Sequence, residues 1–211
     1  MSAALVGLAA LWAIPLGVGL GLLSGLRRNT ALDYAVTSAT TSLMVVPVFL
    51  LAGIASTYFV YRWHLVPLGW ETWSAKIVPS FVLALAPAGY TARLVRAAVV
   101  ETLTQDYVRT ARAKGLRPPR IVLVHVLRNS VGPFLAAGAP LFALLITGAF
   151  FVEISFGIPG VAQLFYLAAK TRDYPLVMAL TVALAMLVIA ANLVADVTAA
   201  YLDPRLREAQ T

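Results

Sequence analysis

The chain has 211 residues, of which 61% are hydrophobic and 12% are charged. An ordinary soluble domain carries roughly 25% charged residues, so this composition excludes a typical soluble domain. No cysteine is present, which excludes disulfides, thiolate catalysis and cysteine-ligated metal sites. We therefore expect residues 1–211 to form one all-α integral membrane domain with short loops and no separate soluble domain.

Long apolar runs separated by short polar segments predict five membrane-spanning helices. A helix of about 20 apolar residues crosses a hydrocarbon core about 30 Å thick. The approximate bounds of the five spans are residues 3–26, 32–61, 77–95, 131–152 and 176–201. The third run reaches Arg93 after few uncharged residues, which indicates a helix that continues beyond the membrane. The segment between the fourth and fifth spans is too short and too interrupted to cross.

Three glycines recur at every fourth position of the first span, at Gly17, Gly21 and Gly25. Such spacing puts them on one face of a helix, where a neighbouring helix could approach closely. Glycine is also common in membrane helices in general. The sequence alone therefore leaves the packing role of this strip open.

A basic stretch over residues 103–129 separates the third and fourth spans, and its first part reads as a short helix. Thr104 can cap that helix, Asp106 lies in its first turn, Lys114 in its last turn and Gly115 at its end. A helix of about ten residues is about 15 Å long.

This short helix would have a narrow apolar-to-small face, because Leu103, Tyr107, Ala111 and Gly115 are spaced four apart. It cannot bury that face by itself. Two interpretations follow from the charge pattern. The helix either lies on anionic lipid or inserts into a groove on another protein.

Residues 106–116 (DYVRTARAKGL), followed by residues 125–129 (HVLRN), resemble the cytoplasmic loop of inner-membrane permeases of binding-protein-dependent ABC importers, in the dipeptide, oligopeptide and nickel group. Related importers carry the form E-A-A-x-x-x-G at this loop, and here only Ala111 and Gly115 match it. The Arg109-Thr110-Ala111 variant is similar to that of the peptide group. Residues 152–160 (VEISFGIPG), 172–175 (RDYP) and 202–207 (LDPRLR) resemble the same group.

The resemblance implies the permease core of a type I ABC importer without the usual first helix, in which a cytoplasmic coupling helix docks on an ATPase. The docking residues that it implies are Asp106, Tyr107, Arg109, Thr110, Ala111, Lys114, Gly115 and Leu116. The implied partners are two ATP-binding subunits, a second permease subunit, an external solute-binding protein and the lipid bilayer, with no nucleic acid.

No phosphate-binding motif of the form G-x-x-x-x-G-K-[ST] occurs in the chain. We therefore expect ATP and Mg²⁺ to be used by the partner subunits, and this chain to bind no cofactor and to be no enzyme. The expected function is transport of peptides or a related small solute across the plasma membrane.

Basic residues are divided unequally between the two sets of loops that five spans create. One set holds Arg27, Arg28, the eight basic residues from Arg93 to Arg128, Arg205 and Arg207, and the other holds Arg62, Lys76, Lys170 and Arg172. The positive-inside rule assigns the richer set to the cytoplasm. We thus expect a bacterial-type inner-membrane protein with its N-terminus outside and its C-terminus inside. Related permeases usually begin with one further helix and a cytoplasmic N-terminus. Whether this chain is a natural five-span variant, has a displaced start or is completed by a separate piece stays open.

Asn192 and Asp196 are four residues apart near the end of the fifth span. Asp196 lies 21 residues beyond Pro175, which is about 31 Å along a helix and reaches the far interface. We expect both residues to serve structure at the inner interface, with Asp196 paired to an arginine. His64 and His125 have no second ligand at suitable spacing, so no metal site is expected.

Two other classes of protein remain as alternatives. An ion-coupled secondary transporter or channel subunit would need an ionisable or carbonyl-lined site near the midplane. No charged side chain or histidine lies near the middle of any predicted span. An accessory or scaffold protein could use the basic loop merely to bind lipid.

Overall fold

A computed structural model of the chain describes residues 1–114 and 138–202, and all regular secondary structure in these residues is helical. The all-α fold class is therefore confirmed for the described part of the chain. The helices are α1 (Ser2–Leu26), α2 (Ala31–Val45), α3 (Val48–Ala55), a π-helix (Ser56–Arg62), α4 (Trp73–Thr104), α5 (Asp106–Ala113), α6 (Gly138–Phe156), α7 (Val161–Lys170) and α8 (Tyr174–Leu202).

Three of these helices, α1, α4 and α8, are each long and apolar enough to cross a membrane. Two further candidates are bent. In the first, α2 is followed by α3 and the π-helix, and the chain bends by 94° between α2 and α3. In the second, the chain bends by 70° between α6 and α7. Counting each bent pair as one span gives up to five spans among the described residues, the number predicted from the sequence. The membrane boundaries themselves stay predictions.

Among the described helices, α1 and α4 share the most extensive contact, and the glycine strip of α1 forms part of it. Gly17, Gly21 and Gly25 are all buried. A Cβ atom built on Gly21 would lie 2.6 Å from the Ala92 carbonyl oxygen and 2.7 Å from the Val95 Cβ. The strip is therefore a packing surface, which decides the question that the sequence left open.

The junction between α4 and α5 differs from the sequence prediction. Thr104 was expected to cap the short helix, but α4 runs without interruption to Thr104, whose hydroxyl donates to the Glu101 carbonyl at 2.6 Å. The extended backbone of Gln105 then separates the two helices, and α5 begins at Asp106. The Thr104 cap is therefore wrong, because Thr104 is the last residue of α4 and Gln105 directly precedes α5.

Part of the predicted docking segment lies outside the described residues. This applies to Gly115, Leu116, the rest of the basic stretch and the beginning of the fourth predicted span. The described part of that span differs at its far end, because α6 continues through Glu153 to Phe156 instead of ending near Val152.

Candidate functional site

The short helix α5 presents two different faces. Val108 is completely buried and Ala111 is 7% exposed, and both pack with Leu103 at the end of α4. The sequence placed Tyr107 on this apolar face, yet Tyr107 is 43% exposed and Val108 takes the position. The fourfold spacing from Leu103 does not carry through, because the turn at Gln105 breaks the helix between them.

The other face of α5, together with Lys114 directly after the helix, holds most of the predicted docking residues. Those that lie exposed are Asp106, Tyr107, Arg109, Thr110 and Lys114. Asp106 and Arg109 form an ion pair at 3.4 Å, with side chains 94% and 73% exposed. Such an exposed pair contributes roughly 0–1 kcal/mol, so a partner could replace it at little cost.

A part-buried ion pair links α2 to α4 on the side of the molecule from which α5 projects. Asp33, in the first turn of α2, is 1% exposed. Arg96 of α4 donates to it twice, from Nε to Oδ1 at 2.7 Å and from Nη2 to Oδ2 at 2.8 Å. Paired, parallel hydrogen bonds of this kind fix orientation as well as distance.

Three further donors complete the surroundings of the Asp33 carboxylate. The Ser24 hydroxyl of α1 donates at 2.9 Å, the Thr37 hydroxyl at 3.3 Å and the Asn29 backbone N–H at 2.9 Å. The carboxylate therefore ties together α1, the turn after it, α2 and α4. Sequence reasoning missed this cluster. The only local signal was an acid three residues after the capping Thr30, whose side chain accepts from the Asp33 N–H.

At the opposite end of the bundle, Glu153 organises the bend between α6 and α7. Its side chain is 1% exposed, and Oε2 accepts from the Ala162 N–H at 2.9 Å. The next N–H toward the helix start, on Val161, donates to the Ser2 hydroxyl at 3.0 Å. Two of the open backbone donors of α7 are thereby satisfied. Gly160 packs directly against the Glu153 carboxylate. This contact gives a structural role to two residues of the VEISFGIPG stretch, Glu153 and Gly160.

Contacts between loops follow the division made by charge. On one side, Asp33 binds both the turn formed by residues 27–29 and the Arg96 side chain of α4. On the other, the Gly69 N–H donates to the Phe156 carbonyl at 3.0 Å, which fastens the loop after Arg62 to the end of α6. Each of these two contacts therefore joins segments of the same charge class.

A cavity of about 550 Å³ lies where α2 and α3 meet, between them and helices α4 and α6. Pro47, Tyr90 and Thr147 are among its lining residues. Proline has no N–H, so the Leu43 carbonyl loses its helical donor. Irregular backbone at membrane depth is tolerated where it is buried in protein or lines a water-filled space, and here the bend lines a cavity between α2, α3, α4 and α6.

The structure says little about the role of the remaining predicted residues. The Asn192 side-chain oxygen is buried and accepts no hydrogen bond from the described residues, and the side chain of Asp196 lies outside them. Their structural role stays a prediction. His64 lies after the π-helix with a positive φ of 52°. Within residues 1–114 and 138–202, no group of three or more acids and histidines could hold a metal ion.

The apolar helices of the bundle, with the short helix α5 projecting from them, have the lengths and composition of a multi-pass membrane protein. The family described as "Binding-protein-dependent transport system inner membrane component" matches residues 17–208, and the chain belongs to that family. The resemblance seen in the sequence is thereby confirmed, and the secondary-transporter alternative is not favoured.

Two relatives of the chain are named as peptide permeases. The chain is 39% identical to the dipeptide transport system permease protein DppB of Bacillus subtilis (strain 168), over 90% of this chain and 62% of that protein. It is 38% identical to the oligopeptide transport system permease protein OppB of Escherichia coli (strain K12), over 98% of this chain and 69% of that protein. The chain therefore spans about two thirds of the length of these relatives.

Solved structures share the fold. One chain of the MetNI methionine ABC transporter, in inward-facing conformations, matches with a TM-score of 0.78 and 17% identity, over 96% of this chain and 93% of that one. A chain of an amino acid ABC transporter matches with a TM-score of 0.72 and 13% identity, over 94% and 89%. The permease fold is therefore confirmed, and at these identities the likeness concerns the fold alone.

Proposed function

We propose that the chain is a permease subunit of an ATP-driven ABC importer that moves peptides or a related small solute across the plasma membrane. The observation that carries this proposal is the family match over residues 17–208. The names of the two relatives, dipeptide and oligopeptide permeases, support peptides as the solute.

The proposed assembly contains a second permease subunit, two ATP-binding subunits and an external solute-binding protein. ATP and Mg²⁺ would be bound by the ATPase partners, because this chain lacks the phosphate-binding motif. The chain would supply half of a membrane path and no chemical step. The cavity beside the α2–α3 bend, with the Tyr90 and Thr147 hydroxyls, would form part of that path.

The helix α5 would couple the ATPase to the path. Its buried face is fixed to the end of α4 through Val108 and Leu103, and its charged face is open to a partner. ATPase closure would push α5 as a rigid lever, and α4 would carry the movement into the membrane. Rigid-body rocking of this kind is a common form of switching.

The docking proposal predicts that Arg109→Glu weakens copurification of the ATPase subunit by about tenfold or more, since like-charge contact at an interface costs several kcal/mol. Gly115→Val, at the predicted end of the helix, is expected to act in the same direction. Solute-stimulated ATP hydrolysis and uptake in the assembled complex should fall with docking.

Arg28→Glu is the matched control, because Arg28 is also an exposed arginine in a loop of the same charge class. If the basic residues serve only to attract lipid, the two reversals should have similar effects. Normal ATPase copurification and normal uptake for both Arg109→Glu and Gly115→Val would contradict the coupling role.

The proposed orientation puts α5 in the cytoplasm and the Arg62–Lys76 loop outside, as the distribution of basic residues suggests. Because the chain has no cysteine, single cysteines report on exposure directly. In intact cells, a membrane-impermeant thiol reagent should label Glu71→Cys and should reach Lys114→Cys only after the membrane is opened. Labelling of Lys114→Cys in intact cells, with Glu71→Cys protected, would reverse the orientation.

A further inference from the structure

The ion pair between Asp33 and Arg96 joins the helix that carries α5 to the helix that bends at the cavity. Building on the function proposed above, we propose that this pair is the link through which a displacement of α5 is passed to α2 and so to the cavity wall. Asp33 and Arg96 are positioning residues in this role. They hold two helices in a fixed relation and touch neither solute nor nucleotide.

The first step of the link is the attachment of α5 to α4. A single residue, Gln105, separates the two helices, and the buried Val108 packs on Leu103. Arg96 precedes the end of α4 at Thr104 by eight residues, which is about 12 Å of continuous helix. A push on α5 therefore reaches Arg96 through a short, regular segment.

The second step is the transfer from α4 to α2. Both nitrogens of Arg96 that face Asp33 are within 2.8 Å of a carboxylate oxygen, so the pair resists both sliding and rotation. The Asp33 carboxylate is in turn held by Ser24, Thr37 and the Asn29 N–H. Asp33 is 1% exposed, so water has little access to its carboxylate, whereas the Arg96 side chain is 31% exposed.

The third step leads from Asp33 to the cavity. The helix α2 runs from this pair to the bend at Pro47, where the cavity begins. Midway, Gly89 of α4 packs against the backbone of Thr40, where an added Cβ would lie 2.7 Å from the Thr40 carbonyl oxygen. That contact has no side-chain bond to resist sliding, whereas the ion pair does.

A simpler reading is that the pair only stabilises the bundle. Buried ion pairs are weak evidence for stability, because the cost of desolvation offsets much of the attraction. The two readings differ in what they predict for transport. A structural pair affects how much complex forms, whereas a coupling pair affects how much solute moves for each ATP hydrolysed.

The test uses the full complex of permeases, ATPases and binding protein, reconstituted in liposomes with a peptide as solute. Asp33→Asn and Arg96→Gln should each lower uptake per ATP hydrolysed by about fivefold or more while hydrolysis continues. Arg96→Lys keeps the charge but loses the paired hydrogen bonds, so its uptake per ATP hydrolysed should lie between the value of Arg96→Gln and that of the unaltered complex. The matched control is Arg93→Gln, an exposed arginine one turn earlier that pairs with no acid among the described residues, and it should keep the normal ratio.

Normal uptake per ATP in both Asp33→Asn and Arg96→Gln would overturn the inference. Failure of the proposed function would look different, because the unaltered complex would then show no ATP-dependent uptake at all.

A second measurement covers the case in which the variants do not assemble. Spin labels on Ala35→Cys and Ala97→Cys, both exposed and next to the pair in α2 and α4, report the distance between the two helices with the pair intact. That distance should be the same in the nucleotide-free and ATP-bound complexes. A change in it between the two states would show that the helices move independently and would overturn the link.

Discussion

Gly21→Ala will destabilise the permease, whereas Gly19→Ala, which adds the same methyl group to the same helix, will not. A Cβ atom at Gly21 would lie 2.6 Å from the Ala92 carbonyl oxygen and 2.7 Å from the Val95 Cβ. Both distances are well below van der Waals contact, so α1 must move away from α4. Overpacking of a tight interior typically costs about 1–3 kcal/mol.

Gly19 is the matched control because nothing lies within 4 Å of a Cβ built there. Replacing a helical glycine by alanine favours the helix by about 1 kcal/mol when no contact opposes it. The two variants should therefore shift the thermal unfolding midpoint of the purified protein in opposite directions. Equal midpoints would mean that α1 and α4 are not closely packed at this position.

The glycine strip could be predicted because its information is local. Three glycines at a fourfold spacing must share one face of a helix, but whether that face packs against another helix could not be decided from the sequence. The apolar runs were equally readable, since length and hydropathy decide whether a helix can span a membrane. Pro47 indicated an interruption in the second span. The 94° turn depends on the helices packed around it and could not be read from one proline.

Long-range pairs and junctions could not be read from the sequence. Asp33 and Arg96 are 63 positions apart in the sequence, and several other arginines could have been the partner of Asp33. The face of α5 was misjudged for a related reason. The spacing of Leu103, Tyr107 and Ala111 is regular along the chain, but the break at Gln105 gives the two helices separate registers. Periodicity holds only within one continuous helix.

The bend between α6 and α7 shows how one residue can be restricted by space alone. Gly160 has φ −116° and ψ −166°, an extended conformation that any residue can adopt. Its restriction comes from the Glu153 carboxylate, which occupies the place that a Cβ atom would take. Gly157, three residues earlier, is the opposite case, because its φ of 64° disfavours a side chain although a Cβ there would meet Leu68 only at 3.6 Å.

Gly160→Ala is accordingly expected to displace the Glu153 carboxylate and to break its hydrogen bond from the Ala162 N–H. A buried donor left without a partner costs about 1–3 kcal/mol, and the crowding adds to this. The bend between α6 and α7 should loosen, with a lower thermal unfolding midpoint. Glu153→Gln should be tolerated far better, since its amide oxygen can still accept from Ala162 in nearly the same volume.

A double-mutant cycle separates crowding from a general effect of the extra methyl group. Glu153→Ala alone should destabilise the bend, because it removes the acceptor for the Ala162 N–H. In the Glu153→Ala background, the methyl group of Gly160→Ala no longer meets a carboxylate. The stability lost in the double variant should therefore be much smaller than the sum of the losses in the two single variants. Additive losses would show that the contact between Gly160 and Glu153 does not limit position 160, and the account of this bend would then be wrong.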